Sequence, residues 1–176
     1  MELDAGSCTL RTWTSDDVGP LASVANDHRI WLNMTDTFPH PYLLEDAERW
    51  IDNCLEQGEP PLHLAIVADR ELVGGIGGHP GSAEQHASIN IGYWLTPDMW
   101  GKGIATSALQ RYVRYLFDTF DPHRLYATVF GWNPASARVL EKCGFRLEGR
   151  LREAIQRQGR FTDLLMYGLL RIDTVG

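Results

Sequence analysis

The sequence predicts a single α/β domain spanning residues 1–176, and three observations carry that expectation. Stretches with the period-2 alternation of a strand are interleaved with stretches whose apolar residues recur at helical spacing. The order in which the two kinds appear implies a sheet largely covered by helices. A hydrophobic content of 44% over 176 residues is enough for a full core without disulfide or metal staples.

Residues 8–13 alternate and read as a first strand. Thr14, Ser15, Asp16 and Asp17 then supply a cap and early acids for a helix to about Asp27, with Pro20 near its first turn, where proline is tolerated. Residues 28–32 continue as a second short helix. Residues 35–42 form a rigid loop, since Pro39 and Pro41 restrict themselves and the residues before them. In the next helix Leu44, Ala47, Ile51, Cys54 and Leu55 make an apolar stripe; Glu45, Asp46 and Glu48 sit near its positive end and Gly58 closes it. Residues 62–67 and 71–78 read as strands joined by Asp69 and Arg70, a weak hairpin signal, and residues 78–86 as loop.

The stretch that organises the rest is residues 89–106. Ile89, Ile91, Tyr93 and Leu95 fall on one face of a strand; Asn90, Gly92, Trp94 and Thr96 fall on the other. Pro97 stops the strand, having no N–H to give a ladder. After Gly101 and Gly103 the period becomes helical through Ala105, Leu109, Val113, Leu116 and Phe120. Strand, glycine turn and helix start leave the first helical N–H groups and the positive end of the dipole in a turn without bulk. Two readings are open: a cradle for a phosphate or pyrophosphate, or a plain chain reversal. Downstream, residues 124–130 read as a strand, and a helix follows with Asn133 as N-cap, Pro134 at its first position and Gly144 just past its end. Residues 145–152 and 161–170 are the last strands, with a turn over residues 154–160.

Net charge is 16 − 23 = −7, and with no basic run the chain is a poor candidate for binding nucleic acid. Three cysteines at wide spacing offer neither a disulfide framework nor metal-ligand spacing, so no metal is expected and a reducing compartment is. The acidic start is unlike a signal peptide, and no apolar run approaches a membrane span. The expectation is a cytoplasmic protein without a membrane partner. Oligomeric state is left open, homodimerisation through the last strands being one arrangement.

Residues 101–106 lack the spacer of a P-loop and the third glycine of the dinucleotide fingerprint. Residues 98–103, Asp-Met-Trp-Gly-Lys-Gly, instead resemble the pyrophosphate loop of the GNAT acyltransferases, Gln/Arg-x-x-Gly-x-Gly/Ala, with Asp98 departing at the first position. The run Ile-Gly-Tyr-Trp-Leu-x-Pro-x-x-Trp-Gly-Lys-Gly-Ile-Ala is similar to the RimJ/RimL branch, whose known members acetylate N-terminal amines of proteins. Residues 133–145 resemble the segment Asn-x-x-Ser…Lys-x-Gly-Phe that lines the pantetheine arm in that family. The resemblance implies a GNAT fold, with a mixed, mostly antiparallel central sheet of about seven strands, helices on both faces, and two central strands that splay apart.

It also implies an acyl-CoA-dependent N-acyltransferase that uses acetyl-CoA or another acyl-CoA, with direct attack by a primary amine in a ternary complex. A protein N-terminal amine leads as acceptor; a small amine (polyamine, amino sugar, amino acid) and a CoA-binding sensor without turnover are the alternatives. By resemblance, Trp94, Leu95, Trp100, Gly101, Lys102, Gly103, Ile104, Ala105, Thr106, Asn133, Ser136 and Arg138 bind the cofactor. Backbone N–H groups of Tyr93 to Leu95 polarise the carbonyl, and the Ser136 hydroxyl meets the departing sulfur. Asn133 reads equally as a plain N-cap. The usual glutamate position is Asn90, which cannot take a proton, and the alternative carboxylate position falls on Ile155. Glu153, Glu84 and His86 are substitutes without independent support. Trp31, Asn33, His40 and Asn90 are candidates for the acceptor side. The loop of residues 38–42 reads either as a wall of that pocket or as a segment stapled to the core by Phe38 and Tyr42.

Overall fold

The computed structural model describes residues 1–174. Its contacts divide the chain into two compact units, residues 1–77 with 93–112 and residues 78–92 with 113–176.

In the first unit, β1 (Glu2–Asp4), β2 (Thr9–Thr12), β3 (His63–Ala68) and β4 (Glu71–Pro80) join in that order, each antiparallel to the next. β1 is not foreseen by the sequence, because three residues are too few to show a period. It brings the sheet to eight strands against the seven expected. Asp69 and Arg70 do make a hairpin: φ is 52° and 69°, the double positive φ of a type I′ turn, at residues that rarely supply it. The helices are α1 (Val18–Ala25), α2 (His28–Trp31) and α3 (Leu44–Glu56). The apolar faces of α1 and α3 close one cluster with strand and loop residues: Trp13, Leu21, Ala25, Tyr42, Ala47, Ile51, Cys54, Ala65 and Leu72. Leu44 and Leu55, expected in the α3 stripe, are exposed; the buried face is the narrower Ala47, Ile51, Cys54.

Two strands and one helix run through both units: β4, β5 (Ser88–Leu95) and α4 (Ile104–Phe120). Within the first unit the Thr96 N–H donates to the Val73 carbonyl at 2.8 Å, tying the end of β5 to β4. The contact is close because Gly74 has no side chain: a Cβ there would lie 2.1 Å from the Trp94 carbonyl oxygen. The first half of α4 is buried at Ile104, Ala108, Leu109 and Tyr112, with the Tyr112 hydroxyl donating to the Leu62 carbonyl at 2.6 Å.

In the second unit, β5 runs parallel to β6 (Arg124–Phe130), β6 antiparallel to β8 (Arg160–Leu170), and β8 antiparallel to β7 (Arg146–Arg157). The parallel ladder pairs only residues 88–90 with 124–126; within this unit it stops at Asn90 and Tyr126 although both strands go on. α5 (Pro134–Lys142) follows β6 and buries Ala137 and Leu140. The expected turn over residues 154–160 is strand apart from Gln158 and Gly159, which carry φ of 48° and 74°. β7 is almost wholly exposed, so polar residues on both of its faces imitate a turn composition. Its register shifts between Leu151 and Ile155, where Glu153 takes φ 49°, as a bulge requires.

Candidate functional site

The end of β5 is held by its side chains and leaves a turn that is held by its backbone. Leu95 is buried and Trp94 packs against the core cluster of the first unit. Trp94 is seated beside β4 through a second glycine, since a Cβ on Gly75 would lie 3.0 Å from the indole Nε1. Residues 96–100 then wind as a tight helical turn: Met99 N–H donates to the Thr96 carbonyl at 3.0 Å and Trp100 N–H to the Pro97 carbonyl at 3.1 Å. The Trp100 indole N–H closes back on the Leu95 carbonyl at 2.9 Å. An exposed tryptophan thus anchors the turn to the strand it leaves.

Gly101 and Gly103 follow with φ of 75° and 82°. That left-handed region costs an L side chain roughly 1–2 kcal/mol, which is why glycine is needed at both. A Cβ at either position would meet nothing within 4 Å, so the glycines are not filling a crowded corner; they border open space at the head of α4. The first N–H groups of an α-helix have no i−4 acceptor. Here the first closing bond is Ser107 N–H to the Gly103 carbonyl at 3.1 Å, and Gly103 has no side chain with which to cap. Lys102 is exposed in the same turn, its ammonium 3.6 Å from the Met99 sulfur. First-turn N–H groups, the positive end of a 17-residue helix and a lysine suit a diphosphate.

In the second unit the start of α5 is closed by its own side chain: Asn133 Oδ1 accepts from the Ser136 N–H at 3.2 Å, with Pro134 at the first helical position. Asn133 and Ser136 are both half-buried and Arg138 is exposed. Asn90, half-buried in β5, sits opposite Tyr126 in the parallel ladder.

The substitute bases found in the sequence are poorly disposed. The His86 ring nitrogen Nδ1 is 2.9 Å from the Ala83 carbonyl of its own turn. Glu84 and Glu153 are exposed, and the Glu153 backbone is fixed by a 2.8 Å bond to Asp163. Ile155 is half-buried on β7. Burial raises all three cysteines, Cys54 up to about 12, Cys143 up to about 11, and Cys8 as well, so none is a ready thiolate that an acyl group would pass through.

On the acceptor side the first unit brings Trp31 and His40 together, with ring centroids 5.7 Å apart. His28 joins them at 5.3 Å from Trp31 and 5.5 Å from His40. The sequence reading passed over His28, yet His28 and Trp31 stand three apart on one helix face, a spacing that signals contact. Of the two readings of residues 38–42, the packing bears out the staple. Tyr42 is in the core and Phe38 packs on it at 5.0 Å and on Trp94 at 6.0 Å, while His40 between two prolines is exposed. Asn33 is turned inward: its amide donates to the Arg29 carbonyl at 3.0 Å, and its buried Oδ1 has no protein partner among the described residues.

Among the described residues no group of three or more His, Cys, Asp or Glu is arranged to hold a metal ion, and no helix is long and apolar enough to cross a membrane.

The comparisons agree with this geometry. A family model described as an Acetyltransferase (GNAT) domain matches residues 8–146. A protein of Bacillus subtilis (strain 168) named putative ribosomal N-acetyltransferase YdaF is 27% identical over 179 residues, covering 96% of this chain and 93% of that one. A Streptomyces coelicolor protein named phosphinothricin N-acetyltransferase is 29% identical over 165 residues, covering 90% and 93%. A solved structure of Mycobacterium smegmatis RimJ in complex with CoA-disulfide superposes with a TM-score of 0.84 at 25% identity, covering 100% of this chain and 88% of that one. The matched segment runs from the start of β2 to the start of β7 and contains the glycine turn, α4 and α5, and on that ground the chain belongs to the GNAT acetyltransferase family and is an N-acetyltransferase.

Proposed function

We propose that this protein, working as one catalytic domain, transfers the acetyl group of acetyl-CoA to the α-amine of a protein or peptide N-terminus. The observation that carries the cofactor half is the glycine turn with open space at Gly101 and Gly103. N–H groups from Gly101 to Thr106, with Lys102, would hold the diphosphate. The bound thioester supplies an activated acyl group. Backbone N–H groups of Tyr93 to Leu95 would orient its carbonyl, and Ser136 would give a hydrogen bond to the leaving sulfur. By the family pattern Asn133 would meet the pantetheine arm.

The acceptor half is supported by the likeness of residues 91–105 to the RimJ/RimL branch, by the relative named a ribosomal N-acetyltransferase, and by the RimJ structure. It is also supported by chemistry. An α-amine titrates near 8 and a lysine-like amine near 10.4, so the α-amine asks less of an enzyme whose usual glutamate position is Asn90. The test is a panel of acceptors with acetyl-CoA: peptides with free N-termini, spermidine, amino sugars, free amino acids and phosphinothricin. The expected result is a kcat/KM for at least one free-N-terminus peptide more than tenfold above every small amine, with the product acetylated at the α-nitrogen by mass spectrometry. A small amine leading the panel would overturn the acceptor assignment.

A further inference from the structure

Resting on the reading that a primary amine is the acceptor, we propose that His40 takes the proton that the amine must lose. Three observations converge on this residue. His40 is exposed, and Pro39 and Pro41 on either side restrict its backbone, so its ring is presented from a stiff loop. The same loop is fastened to the strand end that carries residues 93–95, through Phe38 against Trp94 at 6.0 Å. The third is the ring cluster. Trp31 lies 5.7 Å from the imidazole and inclined by 30°, within the range at which an indole face stabilises a cation, here the imidazolium formed on proton uptake. His28 packs edge-on at 65° and gives the ring a second neighbour. His28 and Trp31 are positioning residues; His40 is the one the acceptor reaches.

Asp27 is engaged by Arg29 through two guanidinium bonds of 3.0 and 2.7 Å, which hold its carboxyl below the ordinary carboxylate value. The charge of Asp98, in the turn before Gly101, bears on Arg29.

The step balances. An ammonium N–H bond breaks and its proton passes to a ring nitrogen of His40, leaving the electron pair on the amine. That pair forms the N–C bond at the thioester carbonyl, the C–S bond breaks with its electron pair going to sulfur, and the now positive nitrogen gives its second proton to the departing thiolate, leaving a neutral amide and a thiol. The imidazolium then returns its proton to solvent.

The test is His40→Asn, which keeps a polar side chain of similar reach and cannot accept the proton. Initial rates are measured against pH with acetyl-CoA and two probes, a tetrapeptide with a free N-terminus and N-α-acetyl-lysine amide; acetyl-CoA affinity is measured by calorimetry. The expected result is a fall in kcat of about 10²-fold, the usual scale for loss of a general base, with disappearance of the acid limb of the profile. The loss should be larger for the lysine probe than for the tetrapeptide, and the acetyl-CoA Kd should be unchanged. His28→Asn should reduce kcat less and keep the acid limb. Wild-type turnover with an unaltered acid limb in His40→Asn, or an effect confined to KM, would overturn the inference and leave the acceptor reading standing. A wild-type preference for the lysine probe would overturn the acceptor reading while the His40 comparison is still read on that probe. No wild-type turnover of either amine would overturn both.

Discussion

α4 and α5 each follow a strand and a tight turn, and their N-termini are finished in opposite ways. α5 closes on itself: Asn133 caps the Ser136 N–H and Pro134 starts the helix with no N–H to satisfy. α4 follows Gly103, which has nothing to cap with, and Gly101 and Gly103 adopt positive φ beside open space. A third helix start, before α1, supplies its own anion. Asp17 accepts from the Thr14 N–H at 2.9 Å and from the Thr14 hydroxyl at 3.1 Å while paired through both oxygens with Arg11 at 2.7 Å. On the function proposed above, the difference has a use: α5 and the start before α1 are closed by an amide and a carboxylate of the chain, whereas the start of α4 is left for a ligand's anion.

The largest expected effect comes from filling that place. Gly103→Glu puts a carboxylate at the head of α4 and forces a φ of 82° on an L residue. Acetyl-CoA affinity by calorimetry should fall at least 100-fold, about 2.7 kcal/mol or more, with the far-UV circular dichroism retained. A Kd within threefold of wild type would mean that α4, like α5, is finished by its own chain.

The next effect concerns the carboxylate the chain does supply. Burial works against ionisation of Asp17, but it is outweighed by the Arg11 guanidinium and the Thr14 N–H and hydroxyl, and the net result is a lowered pKa. A lowered folded-state pKa means stability that is present above the unfolded carboxylate value of about 3.9 and lost as pH falls through the folded value. Asp17→Asn should therefore cost about 2 kcal/mol at pH 7, the scale of a charge-assisted hydrogen bond, and the gap to wild type should begin to narrow below about pH 4. Denaturant titration at pH 7, 5 and 3.5 reads both. A gap constant with pH would show that Asp17 acts by shape and not by charge.

How much of this was legible in the sequence follows the same division. The α4 turn was readable because glycines, a proline stop and a change from period 2 to helical spacing coincide within residues 95–105. Asn133 with Pro134 was readable for the same local reason. The Asp69–Arg70 hairpin was under-read, since nothing in those side chains announces positive φ. β1 and the far end of the β7–β8 hairpin, read as a turn over residues 154–160, escape the sequence because their pairing is decided across strands: a three-residue edge has no period, and an exposed strand with polar residues on both faces looks like turn. On the acceptor side Trp31 and His40 were named separately. Their contact with each other and with His28 depends on how residues 32–39 bring the loop back over α2, which spacing along the chain does not encode.

The smallest effect tests whether the closed start of α5 is closed for stability alone. Asn133→Ala removes the cap and should cost about 1 kcal/mol, lowering Tm by about 2–4 °C in a chain of this size. Asn133→Ser restores a capping oxygen of equal rank and should return most of that Tm. The two roles of Asn133 separate in the second variant. If the amide only caps, Asn133→Ser recovers acetyl-CoA affinity together with Tm. If the amide also meets the pantetheine arm, Tm returns while the Kd stays raised, because a serine hydroxyl is shorter and cannot serve the helix and the ligand at once. Since α5 differs from α4 in carrying its own cap, the second outcome would narrow the comparison: both helix starts would then serve the cofactor, one by leaving room and the other by lending a group already in use.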